Sequence, residues 1–198
     1  MHIRTFAHLH ICHVNCLFHS QIQFLFYIRN MNKKHFLDLA TFNAWANKKI
    51  FDFITLNINA DLLDKEIVSS FPSVKKTIYH IWDAELIWLE RLRGVSLKDF
   101  PSKTFMGSAV DGLKKYLENT NEFLGVVSKS PESFFESNIS FTATSGKSYT
   151  QEVSAILTHV INHSSFHRGQ LIMMFRQLGY TDGIPETDFI EYYREKHA

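Results

Sequence analysis

The chain has 198 residues, with 21 basic against 20 acidic side chains and a hydrophobic fraction of 45%. That length suits one domain with one core, and a net charge of +1 excludes a nucleic-acid grip built on a broad basic surface. Eight glycines and four prolines exclude collagen-like and Pro/Gly-rich disordered classes, and the two cysteines, Cys12 and Cys16, are too few for a secreted disulfide scaffold. A reducing, cytoplasmic setting is the expectation.

Residues 1–30 differ from the rest. They hold five of the eleven histidines, both cysteines, two arginines and no acidic residue. A membrane span needs about 20 mostly apolar residues, but the apolar stretch 16–28 is broken by His19, Ser20, Gln21 and Gln23. No clean secretory signal with a small-residue cleavage site stands out. Cys12, Cys16 and nearby histidines are chemically able to bind zinc, although C-x3-C alone is a weak pattern. Met31 opens MNKKHFLDL, which reads as a plausible start. The expectation is therefore a leader over 1–30, disordered or arising from a mis-assigned start, ahead of one domain over 31–198.

The first predicted helix runs from Lys34 to about Leu56, with Phe36, Leu39, Ala40, Phe42, Ile50, Phe53 and Ile54 near helical spacing. The second runs from Val74 to Arg93, capped by Ser73 and stopped by Gly94. Its stripe is Val74, Ile78, Ile81, Glu85, Trp88, Leu89 and Leu92, apolar except for Glu85. The third spans Ala109 to Ser128 behind Ser108. Residues 134–149 suggest a short hairpin around Ser145-Gly146. The fourth helix runs from about Gln151 to Leu178, with Thr150 as cap and Gly179 as stop. Ile184 to Lys196 adds a short final helix. Single apolar stripes on helices joined by short loops predict an all-α antiparallel four-helix bundle with a short β-like insertion before the last long helix. Trp45, Trp82 and Trp88 read as core.

The fourth helix holds the most specific chemistry, His159, His163 and His167 in LTHVINHSSFHRGQL. Residues four apart lie one turn apart on nearly the same face, so either His159 with His163 or His163 with His167 can converge on one divalent cation. Successive steps rotate about 40°, so all three do not suit one ion and a further ligand must come from another helix. His80, mid-helix among Ile78, Ile81 and Trp82, is the natural partner, because an unpaired imidazole there would be costly. Spacing alone leaves open histidines that merely pack or face solvent. H-E-x-x-H is absent, and with it the built-in glutamate base of that metalloprotease motif.

Three stretches together resemble a known family. FNAWANKKIFDFI is similar to an opening helix, SFPSVKKTIYHIWDAELIWLERLRG to a second helix with histidine and tryptophan eight apart, and LTHVINHSSFHRGQLIMMFRQLGY to an N-H-x3-H-R-G-Q segment, with DFIEYYRE matching the tail. This is the pattern of the damage-inducible DinB/YfiT-like metalloenzyme family, over about Met31 to Glu195; the leader has no counterpart. The resemblance implies a four-helix bundle in which His80, His163 and His167 are metal ligands. His159, Asn162 and Asp83 are then reserve ligands or groups that orient a ligand; Asp83, three residues after His80, is also a candidate acid or base, with an exposed helix carboxylate as the alternative. Three neutral histidines leave coordination positions open, which suits catalysis. Zinc fits best, with nickel or another divalent ion able to bind the same nitrogens. Gly169 is expected to admit a neighbouring helix, and Arg168 and Gln170 to make interhelical or ligand-supporting hydrogen bonds.

The family resemblance implies a metal-dependent enzyme acting on a small molecule, with a low-molecular-weight thiol as partner in an S-transferase-like reaction, or metal-bound hydroxide in a hydrolase-like one. The alternative is a non-catalytic, stress-associated metal-binding or dimeric bundle. No nucleic-acid or membrane partner is expected, a homodimer is compatible with the family, and no catalytic acid or base is assigned.

Overall fold

Ser73 lies in extended backbone, and its Oγ accepts the amide of Lys76, so the chain turns into helix at Val74. The same device works at Ser108, whose Oγ accepts the amide of Asp111. A computed structural model describes residues 33–198; the leader lies outside them. In chain order come α1 (33–57), a single 3-10 turn (Ala60–Leu62), α2 (Val74–Leu92), α3 (Pro101–Thr104), α4 (Ala109–Lys129) and α5 (Glu132–Phe135). Strands β1 (Asn138–Thr142) and β2 (Ser148–Glu152) follow, then α6 (Val153–Gln177) and α7 (Phe189–His197). Gly94 and Gly179, just past α2 and α6, take φ of +83° and +97°, the left-handed stop expected of glycine.

The four long helices form the expected bundle. Its order is up-down-down-up. Phe53 meets Phe175 and Asn43 reaches Arg168, so α1 and α6 run the same way. Tyr79 lies against Gly112, and Glu85 pairs with Asn119 and Thr120, so α2 and α4 run parallel to each other; Thr77 meets Met174 while Trp88 meets His159, so both run against α6. The α2–α4 connection is therefore a crossover that carries α3, not a tight turn. The hairpin is antiparallel, with Phe141 opposite Tyr149 and Ser140 opposite Thr150. Two predicted details are corrected. Thr150 belongs to β2, so Glu152 is the N-cap of α6, and α6 has 25 residues because the strand takes up the first two residues of the expected helix and Leu178 is its C-cap. The final helix begins at Phe189, where Phe42 and Tyr192 pack around its first ring; Glu195 then accepts the Trp45 indole N–H and pairs with Lys49.

The core is split by a polar layer. One apolar cluster gathers Ile50, Phe53, Ile78, Leu113, Leu171 and Phe175; the other gathers Phe36, Ala46, Leu89, Phe123, Leu157 and Val160. Between them all four helices contribute buried polar residues: Asn43 and Asn47, Glu85, Asn119 and Thr120, and Ser164 and Arg168. Glu85 accepts hydrogen bonds from Asn43 (2.9 Å), Asn119 (3.0 Å) and Thr120 (2.7 Å). Arg168 donates to Asn43 (2.6 Å), Asn47 (2.8 Å) and Ser165 (2.8 Å). Asn43 thus relays between carboxylate and guanidinium. Burial pushes the Glu85 carboxyl up, opposed by its three donors and by Arg168.

Close helix approach occurs at Gly112, not at the expected Gly169. A Cβ at Gly112 would strike the Tyr79 ring, whereas one at Gly169 would meet nothing within 4 Å. Alanine in a helix interior ordinarily gains up to ~1 kcal/mol over glycine. Here the sign reverses: Gly112→Ala should destabilise by about 1–3 kcal/mol through overpacking. Gly169→Ala, by contrast, should be neutral or stabilising. Urea melts of the two variants check the pair, and a stabilised Gly112→Ala would refute the tight α2–α4 contact.

Candidate metal centre

Helices α2 and α6 run antiparallel and pack face to face, which brings the mid-point of one against the His163–His167 turn of the other. His80 Nε2 and His163 Nε2 are 3.0 Å apart. The His163 and His167 rings lie 4.4 Å apart between centroids, and His80 and His167 4.6 Å. One ligand nitrogen from each of the three falls within 4.8 Å of the others. Two nitrogens bound to one tetrahedral ion at 2.0–2.1 Å would sit about 3.3 Å apart; the His80–His163 pair is near that value, and the third nitrogen has at most about 1.5 Å to close.

Protonation favours the same use. Desolvation pushes His80 down to about 4 and His163 to about 3, with neighbouring imidazoles adding to the shift, and it lowers His167 as well. All three are therefore neutral near pH 7 and offer lone pairs. His167 Nδ1–H donates to Gln170 Oε1 at 2.7 Å, which fixes the tautomer and leaves Nε2 as the free ligand atom. Phe71 stacks on His80 with ring centroids 3.8 Å apart and meets the edge of His167 at 5.6 Å. Its carbonyl is held by the Ser73 amide and the Thr77 hydroxyl, so this aromatic is anchored over the cluster.

In the unfolded chain these imidazoles take up protons below about 6.5; in the folded chain His80 and His163 resist until about 4 and about 3. Between those values the unfolded state binds more protons, so stability falls as pH drops from 6.5 towards 4 and is flat with respect to these groups above 6.5. Metal-stripped protein should melt several degrees lower at pH 5 than at pH 7.5, and His80→Gln with His163→Gln should flatten that difference. A loss of equal size in the double variant would assign it to other groups.

His159 is exposed; its ring lies 5.6 Å from that of His163 and 5.7 Å from that of Trp88, outside the cluster of three. Asn162 is exposed and lines a different cavity, of about 830 Å³, between α6 and residues 181–189. Gln170 holds one of the three imidazoles, His167, through the hydrogen bond at Nδ1. Asp83 is half-buried rather than exposed, accepts the Ser102 amide at 2.9 Å and lines a cavity of about 400 Å³ with His80, Phe71, Tyr79 and Phe105. Burial raises its pKa, against the Ser102 hydrogen bonds. His35 and His197 lie at the ends of α1 and α7, outside the cluster of three. Phe71 escaped the sequence reading because it lies in a loop without periodicity. Its only signal was its place two residues before the Ser73 cap.

Comparison with known proteins gives the family and the fold. The family model described as "DinB family" matches residues 31–196. Protein DinB of Bacillus subtilis (strain 168) is 27% identical over 156 residues, covering 76% of this chain and 89% of that protein. A DinB-like protein from Bacillus cereus ATCC 10987 superposes with a TM-score of 0.60 at 21% identity, over 77% of this chain and 95% of the other. A DinB-like protein from Bacillus subtilis gives 0.52 at 17% identity, over 80% and 97%. The two solved structures bear on the fold alone.

Proposed function

The chain belongs to the DinB family, and from that premise we propose that His80, His163 and His167 hold one divalent cation, zinc by preference, in a metal-dependent enzyme that transfers a low-molecular-weight thiol to a small electrophile. The observation that carries the reading is the convergence of three neutral imidazole nitrogens within 4.8 Å from two different helices. When bound, the metal supplies Lewis acidity, which lowers the pKa of a coordinated thiol or water. The chain's own residues do the rest. Gln170 holds His167 in one tautomer, Phe71 covers one side of the imidazoles against water, and the cavity beside His80 gives room for a small molecule. Three ligands leave a coordination position open. The same open position would serve a hydrolase, so a water-derived nucleophile is the competing chemistry.

Among the described residues no helix is long and apolar enough to cross a membrane. Under this reading the protein works in the cytoplasm, where thiol cosubstrates stay reduced, and a homodimer is part of the proposal. The test is metal per chain by elemental analysis of untagged protein, followed by a thiol-conjugation assay with zinc-loaded protein. Near-stoichiometric metal with thiol-dependent turnover supports the reading. Metal with hydrolysis but no conjugation favours the hydrolase, and no metal after incubation with divalent ions refutes the centre.

A further inference from the structure

Arg91, in the last turn of α2, is 8% exposed. Its guanidinium carbon sits 4.4 Å from the Trp88 ring centroid and 4.1 Å from that of Phe141. Its Nε is buried without a hydrogen-bond partner, and no hydrogen bond or ion pair reaches its other nitrogens among the described residues. The contrast with its neighbours is sharp. Arg93, two residues on, pairs with Glu90 and Glu122, and the buried Arg168 has three acceptors. Arginine is rarely buried unless paired, and two aromatic faces attract the charge without answering any of its five N–H donors. Residues 1–32 contain no aspartate or glutamate, so that segment has no acidic side chain to offer.

Position gives this cation a use. Arg91, Trp88, Ala84 and His80 follow three- and four-residue steps along one face of α2. Trp88 meets His159, and His159 meets His163, so a strip of rings leads from the histidine cluster to the guanidinium. His80 to Arg91 is about 16–17 Å along the helix axis, a distance that a tripeptide-sized molecule, about 10–11 Å extended, covers with a contact of roughly 3 Å at each end. We propose that Arg91 binds the anionic group, a carboxylate or phosphate, of the small molecule whose other end lies at the histidine cluster. The fork of the guanidinium suits bidentate capture of such an oxyanion. The anion site stands on Arg91 alone; its link to the histidines rests on the metal reading above.

Two measurements keep these parts separate. Metal-stripped full chain is titrated with inorganic phosphate, and separately with succinate, against chloride at matched ionic strength, following tryptophan emission, because Trp88 touches the guanidinium. A saturable change that Arg91→Met abolishes and Arg93→Met retains is the expected result. No saturable change in wild type, or the same change in Arg91→Met, overturns the site. Should Arg91→Met fail to fold by circular dichroism, the Arg91 Nε–H resonance of the wild type must move with phosphate, and a static resonance overturns it equally. Zinc-loaded protein is then offered Cys-Gly-Gly with a free C-terminal carboxylate and as its amide. A roughly tenfold preference for the acid, lost in Arg91→Lys and Arg91→Met, is expected. Equal affinity while zinc stays bound refutes the link to the histidines and leaves the metal centre intact.

Discussion

His163→Ala should lose nearly all bound metal at micromolar ion concentrations, and His80→Ala should do the same. Each removes one of three nitrogens that meet in one place, one from each side of the α2–α6 contact. Loss of a group that merely orients a ligand costs about 10–100-fold in metal affinity, and loss of a ligand should exceed that range. Gln170→Ala falls in the 10–100-fold range, since it frees the His167 ring without removing a donor. His159→Ala should retain most of the metal, because its ring packs on Trp88 outside the cluster. Competition titration against a chromogenic chelator ranks the four variants. Equal losses at His159 and His163 would show that the ligand set is wrong.

Glu85→Ala should destabilise the bundle by about 3–5 kcal/mol, the cost of breaking a buried charged network by removing one member. The carboxylate is 1% exposed and holds the side chains of Asn43, Asn119 and Thr120 from two other helices. Without it those donors lose their acceptor, and the buried Arg168 keeps its charge without the nearby carboxylate. At about 2–4 °C per kcal/mol for a chain of this size, the melting temperature should fall on the order of 10 °C. Glu85→Gln keeps one acceptor oxygen and should lose less. Thermal melts by circular dichroism at pH 7.5 decide it, and a fall under about 2 °C for Glu85→Ala would mean that the layer relaxes or hydrates freely.

This polar layer bears on the histidine cluster. Ser164 and Arg168 each follow a cluster histidine by one residue on α6, and Arg168 is tied to α1 through Asn43 and Asn47. A rotation of α6 that turned His163 and His167 away from His80 would break those bonds. Register of the site and satisfaction of the buried charges are thus one constraint.

The sequence by itself determined the helices, their caps at Ser73 and Ser108, the stops at Gly94 and Gly179, and the hairpin, because these depend on local chemistry within a few residues. It also marked Glu85 as the polar exception in an apolar stripe, and it marked the histidine spacing on α6. What it left open was decided by packing between distant segments. Whether His159 or His167 joins His163 depends on which turn of α6 faces His80, and that depends on the antiparallel setting of two helices more than 60 residues apart. The crossover through α3, the tight contact at Gly112, Phe71 over the imidazoles and the unpaired Arg91 have no local signature. Each arises where side chains far apart in the chain compete for the same space, and only the folded arrangement of α1, α2, α4 and α6 settles that competition.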